Sequence, residues 1–362
     1  MVYLHVPFCR SFCTYCDFYS ELCGGDASFR THADAVCEEI AGRGEEIRTS
    51  REVDTLYVGG GTPSVLPLDV LTRIVGEIIR ARGGVRDFRE FTVEVNPEDI
   101  FEKGEAYVSA LRHMGADRIS MGIQSFDDPL LRWMNRRHDS ARALEAFRTL
   151  RRAGVGNISI DLIFGMPQLT DEIWRRTLET ALDLSPEHIS AYQLSVEPGS
   201  ALARMESLGT WTAASETQCM QQYGMLCEAL SEAGYHHYEV SNFARPGFEA
   251  VHNSAYWRRV PYVGLGPGAH SLSGNVRRWN SQHMPSYSYE SETLSSEQVR
   301  LETIMLSLRT DTGVSEDFLR EGTDNQSVDR LLGEGALVRA DGRLCIPEDR
   351  FFVSDEIIRE LV

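Results

Sequence analysis

The sequence predicts an α/β protein, a partial TIM-like (β/α)6 barrel followed by a smaller C-terminal domain. Between Val2 and Leu194, short apolar runs alternate six times with stretches of helical periodicity, which implies parallel strands joined by right-handed crossovers. Cysteines, glycines and carboxylates gather at or near the ends of those runs, where parallel barrels build their sites. Past Pro198 the alternation stops, and helices followed by a short hairpin take over.

The first strand, Tyr3-Leu-His-Val, feeds straight into a loop holding Cys9, Cys13 and Cys16. A helix is expected from Asp26 to about Ile47, with Asp26 as its cap and Phe29, Ala33, Val36, Cys37 and Ile40 at helical spacing. Strand two, Thr55 to Val58, ends in Gly59-Gly60-Gly61-Thr62-Pro63, and a helix from Pro67 to Arg82 follows with Leu71, Ile74, Val75 and Ile78 on one face. Strand three, Phe91 to Val95, closes at Asn96-Pro97. The remaining units are expected as helix Glu105 to Met114, strand Arg118 to Ile123, helices Pro129 to Met134 and Ala141 to Ala153, strand Ile158 to Phe164, helix Glu172 to Leu184 and strand His188 to Leu194. A helix from Ser215 to Ala233 then leads into an aperiodic aromatic stretch, His252 to Trp279. Helices at Glu297 to Leu308, Glu316 to Leu319 and Ser327 to Leu332, a hairpin through Asp341-Gly342 and a last helix resemble a winged-helix module. The expected domains are 1–200 for the barrel, 201–290 for a helix and aromatic extension packed on it, and 291–362 for the C-terminal domain. The Ser- and Glu-rich stretch 281–296 serves as linker.

Composition sets limits on function. With 42% apolar and 25% charged residues, the 362-residue chain is an ordinary globular protein. Its 36 Lys and Arg against 54 Asp and Glu give a net charge of −18, which argues against a nucleic-acid partner. No apolar run reaches bilayer length and no leader precedes the first strand, so a cytoplasmic location is expected. Eight unevenly placed cysteines do not form a disulfide framework, and three clustered thiols point to metal or redox chemistry.

Cys9, Cys13 and Cys16 fall within one short window right after a strand. So tight a loop can wrap one corner of a cubic iron–sulfur cluster and leave the fourth iron open. A structural zinc site is the alternative, but it wants four ligands, and Cys23 follows in no pair spacing. Glu94 and Asp161 sit inside otherwise apolar strands, where a carboxylate is costly unless paired. Each reads equally as a functional group or as half of a buried ion pair. The glycine run permits close backbone approach to a ligand, or simply a tight turn. Cys23, Cys37, Cys219, Cys227 and Cys345, mostly on helical faces, read as small core residues.

The Cys-x3-Cys-x2-Cys loop after strand one, followed by Gly60-Gly61-Thr62-Pro63 after strand two, resembles the radical S-adenosylmethionine superfamily. Tyr3, Glu94, Gly122-Ile-Gln124-Ser-Phe126, Asn135-Arg136 and Ile160-Asp161 resemble its branch containing anaerobic coproporphyrinogen oxidase. The resemblance implies that Cys9, Cys13 and Cys16 ligate a [4Fe–4S] cluster whose open iron binds S-adenosylmethionine. It also implies that Tyr3, Tyr15, Gly60, Gly61, Thr62, Glu94, Gln124, Arg136, Asp161 and Ser195 hold that cofactor. The oxidase pattern has a fourth cysteine where this chain has Phe18, and an N-terminal extension that contributes to its substrate site.

In the second half, Tyr238-Glu239-Val-Ser-Asn242-Phe243, His252-Asn253-Ser-Ala-Tyr256-Trp257 and Gly264-Leu-Gly266-Pro-Gly268-Ala-His270 resemble the haem chaperones of the same superfamily. That resemblance implies haem contacts from His252, Asn253, Tyr256 and Trp257. A histidine beside large aromatics can bind haem iron while the rings pack on the macrocycle, and adjacent Arg258 and Arg259 suit the propionates. Read alone, a single histidine such as His252 is more often one hydrogen-bonded in a core, and it is the six-residue match that favours haem. The expected function is therefore transfer of haem to an acceptor protein, with peripheral contact to membrane-bound haem proteins compatible with it. The alternatives are a coproporphyrinogen III oxidase, a radical decarboxylase on the same barrel, and a barrel serving only as an interaction scaffold.

Overall fold

The computed structural model describes residues 1–284 and 286–362. Strands β1 (Val2–Val6), β2 (Thr55–Gly60), β3 (Glu90–Val95), β4 (Arg118–Gln124), β5 (Ile158–Phe164) and β6 (His188–Gln193) lie side by side, parallel and in chain order, as the sequence predicts. Three strands that it did not predict extend this sheet. β7 (His236–Glu239) and β8 (Asn242–Ala244) form a hairpin whose second strand pairs antiparallel with β6, and β9 (Val263–Leu265) lies parallel beside β1. The order is β9-β1-β2-β3-β4-β5-β6-β8-β7, so the sheet ends in two edges rather than closing. Helix Ser296–Ser307 ties the two ends together. Its Glu302 binds Arg259 and Arg277 near β9, and the carbonyl of Arg309 accepts from the Val240 amide at the β7–β8 turn.

Alternation along the strands separates two environments. Val2, Leu4, Leu56, Val58, Phe91, Val93, Ile119, Met121, Ile158, Ile160 and Ile189 join the helices in one apolar core. The residues between them share register on the inner face and are polar, for example Tyr3 beside Tyr57, Thr92 beside Arg118, and Glu94 beside Ser120. Buried polar groups are costly without partners, and most of these have them. Ser159 bonds His188 at 2.8 Å, His188 bonds the Tyr238 hydroxyl at 2.7 Å, and the Ser120 hydroxyl donates to Asp161 at 3.4 Å.

Several expected boundaries shift for local reasons. The first helix is two, Asp26–Gly42 and Gly44–Thr49, because Arg43 between them turns inward to donate to Glu39, Glu46 and the Gly264 carbonyl. Its N-cap is Gly25, and Asp26 is its first residue. The helix expected from Glu105 begins at Pro97, where a proline's missing N–H costs nothing, and bends at Gly104, whose φ is 67°. The stretch 281–296, expected as a linker, contains strand β12 (Tyr289–Thr293). It completes a three-stranded sheet with β10 (His270–Ser273) and β11 (Val276–Asn280), while Pro285 lies outside the described residues. The C-terminal helices carry the sheet β13-β15-β14, formed by β13 (Val314–Ser315), β14 (Val338–Ala340) and β15 (Arg343–Cys345). Cys345 lies on β15, in the expected hairpin, and Cys23 in a loop.

One core position is badly served. His32 is fully buried edge-on to the Phe8 ring, centroids 5.4 Å apart, and neither ring nitrogen finds a partner. Burial, then neighbouring His5, holds its imidazole down to about 3. Leucine at this position is expected to stabilise the fold by ~1–2 kcal/mol, since an orphaned polar group is replaced by an apolar one of similar size. Protonation of His32 is opposed in the fold and free in the unfolded chain, so the gain should widen as pH falls below about 6.5. Urea midpoints for His32→Leu checked at two pH values test this, and a midpoint below wild type at both would refute it.

Candidate cofactor site at the barrel mouth

The loops after β1 to β6 surround one cavity of about 610 Å³. Cys9, Cys13 and Cys16 line one side of it, with Tyr15 between the last two. The cysteine loop is tied at several points. Thr14 donates its amide to the Met134 carbonyl at 3.2 Å, Asn135 Nδ2 donates to the Phe12 carbonyl at 2.7 Å, and Cys23 donates its amide to the Cys9 carbonyl at 3.0 Å. Asn135 takes φ 58°, a left-handed conformation that asparagine tolerates well. Three soft donors facing a cavity suit an iron–sulfur cluster with one unprotected iron. Phe18, where the oxidase pattern has cysteine, stands 73% exposed on the rim, with Phe12 beside the cavity at 49%.

The glycine turn serves its neighbours. A Cβ on Gly60 would lie 2.6 Å from the His5 ring, and one on Gly61 would lie 2.9 Å from the Phe8 carbonyl and 3.1 Å from the Cys9 sulfur. Gly60 also needs φ 109°. Without side chains, this turn lets the cysteine loop close against β2, and Thr62 Oγ1 then comes within 3.5 Å of Cys9 Sγ.

Opposite the thiols stand the charged groups. Glu94 accepts the Tyr57 hydroxyl at 2.6 Å and the Gly60 amide at 3.1 Å. Burial pushes its carboxyl up to about 7, with the Tyr57 hydrogen bond opposing. Burial likewise pushes Asp161 up to about 6, against the pull of the Arg118 charge and the Ser190 and Ser120 hydroxyls. Arg136 donates to Cys13 Sγ at 3.4 Å, to Asn96 Oδ1 at 2.8 Å and to the Gly122 carbonyl at 2.6 Å. Its buried Nε has no partner. Gln124, at φ 70°, and Ser195 also line the cavity, whereas Tyr3 lies beneath it, bonded to His5 Nδ1 at 3.0 Å. Sequence reasoning missed Asn96, which links Arg136 to Thr62 through Nδ2 at 3.1 Å, and Tyr57. The only available signal for Asn96 was its place between a strand end and Pro97.

The Radical SAM superfamily model matches residues 3–181. "Heme chaperone HemW" of Synechocystis sp. is 34% identical over 333 residues, covering 86% of this chain and 78% of the relative. "Heme chaperone HemW" of Lactococcus lactis is 33% identical over 343 residues, covering 92% and 87%. The chain belongs to the HemW family. Coproporphyrinogen III oxidase (HemN) from Escherichia coli shares its fold, with TM-score 0.81 and 21% identity over 99% of this chain and 89% of that one. Membership in the radical SAM superfamily implies a [4Fe–4S] cluster and S-adenosylmethionine, and the thiols, free guanidinium donor and carboxylates around the cavity fit both. No described helix is long and apolar enough to cross a membrane.

In this HemW-family chain the aromatic motif lies away from that cavity. Helix Val251–Trp257 packs at the opposite end of the barrel, where β2 and β3 begin. Glu90 accepts the amides of Val251 at 2.7 Å and His252 at 3.1 Å. His252 is fully buried, with Nδ1 bonded to Thr55 Oγ1 at 2.8 Å and Nε2 to the Tyr256 hydroxyl at 3.1 Å. Burial, the N-terminal ammonium and Arg118 hold its imidazole down to about 3. The structure therefore places His252 in a hydrogen-bonded core, the other reading its spacing allowed. Asn253, Tyr256 and Trp257 are half-buried, and Arg259 is paired with Glu302 at 2.6 Å.

Proposed function

We propose that this protein carries haem and hands it to an acceptor protein, on a barrel that binds a [4Fe–4S] cluster through Cys9, Cys13 and Cys16 and S-adenosylmethionine in the adjoining cavity. The observation that carries the reading is identity of 33–34% to heme chaperones across 86% or more of the chain. In this reading the unpartnered Nε of Arg136 meets the carboxylate of S-adenosylmethionine, and Glu94 and Asp161 take its amine and ribose hydroxyls. Tyr15, Gly60, Gly61, Thr62, Gln124 and Ser195 complete the enclosure, with Tyr3 supporting it from below. When bound, the cluster and S-adenosylmethionine supply one-electron chemistry, and the protein's part is to orient and shield them. His252 reaches haem iron only if helix Val251–Trp257 leaves the barrel base, while Asn253 and Trp257 keep open surface for contact. A cytoplasmic protein with a membrane-bound or soluble acceptor is consistent with this.

Phe18 in place of a fourth cysteine disfavours the oxidase reading. Anaerobic reconstitution followed by haem titration and a coproporphyrinogen assay separates the two. The wild type is expected to bind haem with a Soret shift, His252→Ala to bind it at least about tenfold more weakly, and neither to convert the porphyrinogen. Porphyrinogen turnover without haem binding would overturn the chaperone reading.

A further inference from the structure

His252 also sits one side chain away from the cofactor cavity. Its ring packs on Tyr57, centroids 5.0 Å apart, and Nδ1 anchors to Thr55, two residues earlier on the same strand. A second aromatic neighbour of the Tyr57 ring is Tyr3, at 6.1 Å. Held between them, Tyr57 points its hydroxyl at Glu94, whose second oxygen fixes the Gly60 amide, and both Glu94 and Gly60 line the cavity. A single aromatic side chain thus joins the barrel base to the barrel mouth.

We propose that His252 is a positioning residue for the cavity: by clamping Tyr57 it holds Glu94 and the glycine turn in the geometry that takes S-adenosylmethionine. The inference rests on the reading of S-adenosylmethionine as the cavity's ligand. Tyr57 turns about two torsions, and a void where His252 stood would free its ring and loosen the donor that Glu94 now receives. Besides Tyr57 and the Gly60 amide, the groups facing Glu94 include Asp161, which opposes its ionisation, and Arg118, which favours it, with the hydroxyls of Tyr3, Tyr192 and Tyr256 nearby. None of them replaces the short Tyr57 bond. Loss of that donor leaves the carboxylate harder to ionise. A defect in a His252 variant would then arise at the cofactor site without any haem present.

The test is S-adenosylmethionine affinity of the reconstituted, haem-free protein, measured by calorimetry across pH. His252→Ala and Tyr57→Phe are each expected to weaken binding about tenfold, the scale of one hydrogen bond to a charged group. Both should also shift the pH dependence of binding upward. Because one acts through the other, the double variant should match Tyr57→Phe alone. His252→Phe keeps a ring against Tyr57 but cannot ligate iron, so it should retain affinity within about threefold while losing haem. It also serves if the alanine protein fails to fold. Wild-type affinity in His252→Ala, losses that multiply in the double variant, or a His252→Phe protein as weak as Tyr57→Phe would overturn the inference alone. A wild type that binds no S-adenosylmethionine would instead overturn the ligand assignment beneath it.

Discussion

Alanine at Cys13 is expected to abolish cluster assembly, taking reconstituted iron from about four atoms per chain to below about one. The cluster would be held by only three protein thiolates, all from a single loop, so loss of one leaves two, and among the described residues no other cysteine lines the cavity. Cys23 is not a substitute. It lies beyond the two-residue strand Glu21–Leu22 and does not line the cavity. The loop itself should survive, since its ties at Thr14, Asn135 and Cys23 do not involve the Cys13 thiol. Circular dichroism should therefore be unchanged while iron and sulfide analysis falls to background. Cys23→Ala should keep the full complement. Stoichiometric iron in Cys13→Ala would show that the ligand set is misassigned.

Glu94→Gln carries the second large effect, and its sign depends on pH. In the free protein burial holds the Glu94 carboxyl near 7, and a cationic amine binds its ionised form. Wild-type affinity for S-adenosylmethionine should therefore rise between about pH 6 and pH 8. Glutamine keeps the shape but not the charge, so the variant should bind about 10- to 100-fold more weakly at pH 8 and lose most of this slope, with Asp161 leaving a residual one at lower pH. Stability moves the other way. A carboxyl raised in the fold contributes stability that is full below its unfolded value and lost as pH rises through 7, so ligand-free Glu94→Gln should outlast wild type at pH 8. Calorimetry and urea denaturation across pH check both signs. A pH-independent wild-type affinity would remove Glu94 from the amine-binding role.

The six parallel strands, the cysteine loop and the strand-end glycines were legible because each is written within a dozen neighbouring residues. The three strands that extend the sheet were not. β9 is three residues long and pairs with β1 across most of the chain, so no local periodicity marks it. Helix Pro97–Met114 bends at Gly104, so only its second half carries an unbroken helical pattern. Polar alternation in β3 to β6 was also ambiguous. Parallel strands buried on both faces usually read as continuous apolar runs, and from the residues alone Glu94 and Asp161 left the site group and the buried ion pair equally open until their inner-face neighbours were visible.

By itself, the sequence determined the barrel units, the three thiols and the groups at the strand ends, because a parallel strand always delivers its following loop to the same end of the sheet. Tertiary structure alone decided that His252 is sealed beneath Tyr57 at the other end. A motif's spacing tells which side chains travel together, but their surroundings come from elements far away in sequence, here Thr55, Tyr57 and Glu90. The same contacts carry the proposal that His252 braces the cofactor site from below.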